Sequence, residues 1–208
     1  MSSLDADLWQ EAINDEMDSL QSNETWNLVD LPPSYKPIGC KWVLKKKLKL
    51  DGTVDKYKVR LVAKGFRQRE NIYFFDTYSP VTQFTSIRVL ISLAAVFNLF
   101  VHQMEVKTAF LNGELEEEIY VEKLEGFVIH GHENKVCKLN KSMYGLKQAP
   151  KKWLEKFDNL MISNEFKVNE SDKYIYYKYD KNICTITCLY VDDLIIFGSN
   201  IPAINYVK

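Results

Sequence analysis

Ile186-Thr187-Cys188-Leu189-Tyr190-Val191-Asp192-Asp193-Leu194-Ile195-Ile196-Phe197-Gly198 sets two adjacent carboxylates between two apolar, β-prone runs. The pattern predicts a hairpin with Asp192 and Asp193 at its tip. Crowding two like charges is costly unless a cation neutralises them. Paired carboxylate oxygens suit Mg²⁺, and two such ions about 4 Å apart promote in-line phosphoryl transfer. Asp-Asp is also a common turn sequence, so the pair alone leaves both readings open.

Upstream, residues 101–106 read as a strand that places Glu105 at its C-terminal end, directly before a turn. A carboxylate there, on a strand beside the hairpin, would complete a three-carboxylate cluster. Glu105 taken alone is more often an exposed strand-end acid than a ligand. Only the fold can bring it to Asp192 and Asp193.

The charge distribution adds a second signal. The net charge is −1, yet residues 36–69 hold twelve Lys or Arg against Asp51 and Asp55. A basic lobe on a nearly neutral protein points to a polyanion such as nucleic acid or a nucleoside triphosphate. A solvated hairpin with lysines on its outer face would give the same count. Residues 41–50 and 54–63 are β-prone and separated by Asp51-Gly52, which predicts that the basic lobe is a long hairpin.

The rest of the chain frames these two features. Residues 7–21 carry Trp9, Ile13, Met17 and Leu20 at helical spacing, within a 1–24 segment that has seven acids and no base. A helix is expected over 86–97, capped by Thr85 or Ser86, with Ile87, Leu90, Ile91, Ala94 and Ala95 inward. A short helix over 107–111 should end at Asn112-Gly113. Pro150 should open a long helix with Trp153, Leu154, Phe157, Leu160 and Met161 on one side. Short strands are expected at 26–29, 119–121, 135–139 and 174–179. The four tryptophans read as core or contact residues. This order predicts an α+β fold, an antiparallel sheet with helices packed on one face. The four cysteines lack metal-ligand spacing and read as reduced thiols. His130 and His132, a His-x-His pair in a Gly-containing loop, read as structural. The opening residues show no secretory signal and no apolar run is long enough to span a bilayer. An intracellular protein, cytoplasmic or nuclear, is therefore expected, with no membrane partner and its oligomeric state open.

Longer strings carry a family resemblance. They include Asn23-Glu24-Thr25-Trp26, Lys41-Trp42-Val43, Arg60-Leu61-Val62-Ala63-Lys64-Gly65-Phe66 and Tyr78-Ser79-Pro80-Val81. They continue with His102-Gln103-Met104-Glu105-Val106-Lys107-Thr108-Ala109-Phe110-Leu111-Asn112-Gly113, Tyr144-Gly145-Leu146-Lys147-Gln148-Ala149-Pro150 and Tyr190-Val191-Asp192-Asp193. In this order they resemble the reverse transcriptase of copia-type long-terminal-repeat retrotransposons, a domain of the Pol polyprotein. The resemblance runs nearly the whole length of the chain.

The resemblance implies a right-hand polymerase: fingers over roughly 25–85, including the basic hairpin 41–64, and palm with part of the fingers over roughly 86–208. It implies RNA-directed DNA polymerase activity on a primed RNA or DNA template with dNTP. Glu105, Asp192 and Asp193 would be catalytic and, with the carbonyl of Val106, would hold two Mg²⁺ ions, or Mn²⁺ in their place. Lys47 and Arg60 would grip the triphosphate. Phe110 would sense the ribose, or serve simply as core. Tyr144 and Gly145 would line the nucleotide and template-base position, and Lys45, Lys46 and Lys64 would contact nucleic acid. Lys147 and Gln148 fit either a ligand contact or a plain loop.

The chain departs from the family pattern in two places. Position 105 is glutamate where the family has aspartate, and the extra methylene moves the carboxylate by about 1.5 Å. A misplacement of about 1 Å can cost on the order of 10²-fold in rate, so impaired catalysis is expected. Only fifteen residues follow Asp193, so a single truncated domain without thumb or ribonuclease H is expected, a remnant of a decayed element. An inert nucleic-acid-binding remnant using the basic hairpin is the alternative, and another palm-type nucleotidyl enzyme a more distant one.

Overall fold

Local sequence explains most of the elements that form. The computed structural model describes residues 3–68, 74, 77–123 and 134–208. These run α1 (Ser3–Ser22), β1 (Trp26–Val29), β2 (Cys40–Leu48), β3 (Val54–Ala63), α2 (Phe84–Phe97), β4 (Phe100–Glu105), β5 (Tyr120–Val121), β6 (Val136–Leu139), α3 (Ala149–Ser163), β7 (Lys167–Val168), β8 (Ile175–Asp180), β9 (Ile183–Tyr190), β10 (Asp193–Gly198) and α4 (Ile201–Val207). Short 3-10 turns occupy Gly65–Arg67 and Ala109–Asn112, the latter replacing the helix expected over 107–111. His130 and His132 lie outside the described residues. The chain divides into two compact units, Met1–Thr77 with Phe110–Lys152, and Tyr78–Ala109 with Trp153–Lys208.

In the first unit, β1, β6 and β5 form an antiparallel sheet in that order, and β2 and β3 form the basic hairpin. The Asp-Gly signal holds, with a three-residue loop at residues 50–52 closed by Lys49 N–H donating to Thr53 O. Gly52 takes φ +82° there, and Asp51 Oδ1 accepts from both the Thr53 N–H and its hydroxyl. The apolar stripe of α1 lies on β3, where the Trp9 ring meets the Tyr57 ring edge-on at 4.7 Å. Leu20, Leu61, Leu111, Ile119, Leu139 and Met143 form the core beneath.

In the second unit five strands pair antiparallel in the order β4-β10-β9-β8-β7. The helices cover both faces of this sheet, not one as expected. On one face Leu90 and Ala94 of α2 pack on Ile175, Ile186, Cys188, Ile195 and Phe197. On the other, Phe157 of α3 meets Tyr176 at 5.3 Å, and Ile204 of α4 lies over Gly198. Strands β9 and β10 are apolar on both sides, with Leu189, Leu194 and Ile196 backing Cys188, Ile195 and Phe197. A strand that is apolar on both sides needs cover on both.

Two further expectations change. Neither Thr85 nor Ser86 caps α2; Gln83 occupies the N-cap without a side-chain bond, and the buried Asp172 carboxylate accepts its N–H. Ile91 of α2 and Leu160 of α3 are exposed, because each helix meets its neighbours along a narrower stripe than its apolar content suggests. In α3 that stripe is Trp153, Phe157 and Met161, at i, i+4 and i+8. All four cysteines are free thiols. Among the described residues no helix is long and apolar enough to cross a membrane.

Candidate functional site

The carboxylates owe their places to strand register. Asp193 pairs with Tyr190 across the β9–β10 hairpin, so the turn is the two residues Val191 and Asp192. Asp192 therefore sits in the turn, whereas Asp193 is the first residue of β10 rather than part of the tip. The same residue pairs with Glu105 at the end of β4. Opposed residues in an antiparallel pair share a face, with Cβ atoms about 5 Å apart, and like charges there repel. Glu105 is exposed, and Asp192 and Asp193 are half-buried. Val106 N–H donates to Asp192 O at 2.7 Å, tying the turn to the residue after Glu105.

Three carboxylates and a nearby backbone carbonyl are the hard oxygen donors that Mg²⁺ takes. The donor set fits the ion by chemistry and by register. Among the described residues no three His, Cys, Asp or Glu side chains converge into a metal-holding group.

The backbone around these acids is strained. Val191 has φ +60° and Thr108 φ +54°, the β-branched residues with positive φ among the described residues. A β-branched residue in that region is an outlier, and such outliers gather at functional sites. Val191 is restrained from two sides, its N–H donating to Pro80 O and its carbonyl accepting from Trp153 Nε1, each at 2.7 Å. Sequence reading placed Trp153 in the core and Pro80 in a family string, and gave neither a role at this turn. The available signal was a valine placed where a tight hairpin turn requires positive φ.

The first unit gathers most of the residues expected to bind nucleotide. Lys45 stands opposite Lys58, Lys47 opposite Lys56, and Arg60 opposite Val43, so these cations share one face of the hairpin. Lys46 pairs with Tyr57 on the other face, where α1 lies. There Asp5 accepts from the Tyr57 hydroxyl at 2.6 Å and from Lys46 Nζ at 3.1 Å. The Tyr57 hydroxyl first, then Lys46, holds the Asp5 carboxyl below its ordinary range. Lys64 lies just past β3, its N–H donating to Gly39 O.

Tyr144 links two of the remaining residues. The Arg60 guanidinium lies 5.0 Å from the Tyr144 ring centre, and Phe110 meets that ring edge-on at 5.2 Å. The Ser142 hydroxyl donates to the Phe110 carbonyl. Phe110 also packs on the core, the second of its two expected roles. Gly145 has φ +91°, and a Cβ there would collide with the Ala63 carbonyl oxygen. Lys147 and Gln148 are tied down by Gln68, whose Oε1 accepts the Lys147 N–H and whose amide donates to Gln148.

Comparison with known proteins identifies the family of the chain. The family model described as "Reverse transcriptase (RNA-dependent DNA polymerase)" matches residues 23–208. The chain is 50% identical over 190 residues to the Retrovirus-related Pol polyprotein from transposon TNT 1-94 of Nicotiana tabacum, covering 91% of this chain and 14% of that protein. It is 37% identical over 193 residues to the Pol polyprotein from transposon RE1 of Arabidopsis thaliana, covering 92% and 13% respectively. It is 28% identical over 198 residues to the transposon Ty1-NL2 Gag-Pol polyprotein of Saccharomyces cerevisiae, covering 93% and 11%. The chain thus spans a small part of the length of each polyprotein it matches. It belongs to the reverse transcriptase family, as the domain found in the Pol polyproteins of copia-type transposons.

Proposed function

We propose that the chain carries out RNA-directed DNA synthesis, the first unit acting as fingers and the second as palm. The reaction is attack of a primer 3′-hydroxyl on the α-phosphorus of a dNTP, forming a phosphodiester and releasing pyrophosphate. The observation that carries this reading is the Glu105–Asp193 cross-strand pair with Asp192 in the adjoining turn. Glu105, Asp192, Asp193 and the Val106 carbonyl would hold two Mg²⁺ or Mn²⁺ ions. Such ions lower the pKa of the attacking hydroxyl and neutralise charge on the leaving pyrophosphate.

This chain's own residues then orient the nucleotide. Lys47 and Arg60 take the triphosphate, Arg60 braced by the Tyr144 ring. Phe110 closes against the ribose, and Gly145 lets the backbone approach the base pair. Lys45, with Lys56 and Lys58 beside it on the same face, and Lys64 take template or primer phosphates. Lys46, already engaged by Asp5 on the opposite face, leaves that set.

Glu105 makes the parent a slow enzyme in this reading. Primer extension on an RNA template with Mg²⁺ or Mn²⁺ should show weak incorporation that rises in Glu105→Asp and disappears in Asp192→Ala. Incorporation unaffected by Asp192→Ala would overturn the two-metal assignment.

A further inference from the structure

We propose that Trp153, acting with the Pro80 carbonyl, is a positioning residue that clamps the Val191–Asp192 turn and so sets Asp192 and Asp193 for metal binding. The proposal rests on the two-metal reading above and adds to it a residue on another element, α3, that fixes the carboxylate geometry.

The argument begins with the valine. A two-residue hairpin turn needs positive φ, which glycine or asparagine supplies without steric cost. This turn uses valine at φ +60°, so its conformation must be imposed from outside. Three successive peptide groups of the turn are each held by a hydrogen bond of 2.7 Å. Val191 N–H donates to Pro80 O, Trp153 Nε1–H donates to Val191 O, and Val106 N–H donates to Asp192 O. The bridge between Val81 and Tyr190 extends the grip of the Pro80 segment.

The indole is well placed for this work. Trp153 is 5% exposed, and its ring lies 5.5 Å from that of Phe157, so the N–H donor has little freedom to follow a drifting turn. Asp192 is the next residue along and Asp193 opens β10, so any rotation of the 191–192 peptide moves both carboxylates. Groups that orient a ligand through one intervening contact commonly change metal affinity by about 10- to 100-fold when removed.

Two substitutions separate clamping from packing in the full chain. Trp153→Phe keeps a ring in the core and removes the N–H; Val191→Gly lets the turn adopt positive φ unaided. Mn²⁺ titration of parent and Trp153→Phe should show Kd raised by about tenfold in the variant. Urea unfolding of the four-member cycle should show a smaller midpoint step for Trp153→Phe in the parent, where release of the turn recovers valine strain, than in the Val191→Gly background. An unchanged Mn²⁺ Kd, or equal midpoint steps in both backgrounds, overturns the proposal. If Trp153→Phe alone does not fold, folding of the double variant supports the clamp and its failure to fold counts against it. If the parent binds no Mn²⁺, the two-metal reading falls instead, and the urea cycle alone decides whether the indole restrains the turn.

Discussion

Glu105 and Asp193 face each other across the β4–β10 ladder, two carboxylates on one side of a sheet at directly opposed positions. Without a cation the pair is a destabilising like-charge contact of about 0.2–1 kcal/mol. Asp193→Asn should therefore stabilise the metal-free chain by a few tenths of a kcal/mol up to about 1 kcal/mol. Mg²⁺ should raise the thermal midpoint of the parent and fail to do so for the variant. Melts in EDTA and in excess Mg²⁺ test both halves, and equal Mg²⁺ shifts would count against Asp193 as a ligand.

The two faces of the basic hairpin should behave differently toward nucleic acid. Lys45 and Lys58 stand opposite each other on one face, while Lys46 is held by Asp5 on the other. The double change Lys45→Ala with Lys58→Ala should flatten the slope of log affinity against log salt by about 1.8 on duplex substrates. Lys46→Ala should leave that slope unchanged. Binding titrations at several salt concentrations would show it, and equal losses from both changes would contradict the division.

Glu16 predicts a stability effect that depends on pH. Burial pushes its carboxyl above the ordinary 4.5, and the Leu61 N–H that it accepts only partly offsets this. For an acid with a raised folded pKa, the contribution to stability is full below the unfolded value. It is lost as pH rises through the folded value, so at neutral pH the charged carboxylate is a cost. Glu16→Gln keeps an acceptor for Leu61 N–H and removes the charge. It should be more stable than the parent at pH 7, with the difference closing as pH falls toward about 4. Thermal melts across this range decide the sign.

Gly145 should tolerate no side chain. Its φ of +91° and the Ala63 carbonyl in the way of a Cβ make Gly145→Ala strained and overpacked together. The backbone strain alone costs about 1–3 kcal/mol. Urea unfolding should register at least that loss, and a dNTP KM that rises with it would connect the strain to the nucleotide position. Gly52→Ala is the control, since its φ of +82° has nothing within 4 Å of a Cβ and only the conformational cost remains.

Much of this molecule was legible in local sequence because local physics decides it. The α1 stripe, the Asp51-Gly52 hairpin and the β9–β10 runs follow from period and turn chemistry. The α2 start was misread because Asp172, distant in sequence, accepts the Gln83 N–H in place of a local cap. The one-sided sheet was misread because period-2 alternation is blurred in strands that are apolar on both faces. Lys45 and Lys46 read together as nucleic-acid contacts, yet alternation in a strand sends the two to opposite faces.

By itself the sequence determined the family and the hairpin that carries Asp192 and Asp193, because residue identity and short-range spacing are enough for those. Tertiary structure alone decided the geometry at the Asp192-Asp193 pair. Strand register assigned Asp192 to the turn and Asp193 to the ladder opposite Glu105, and contacts from Pro80 and Trp153 made a valine acceptable at positive φ. Register and clamping arise between segments far apart along the chain, and their energies exist only once the strands have paired.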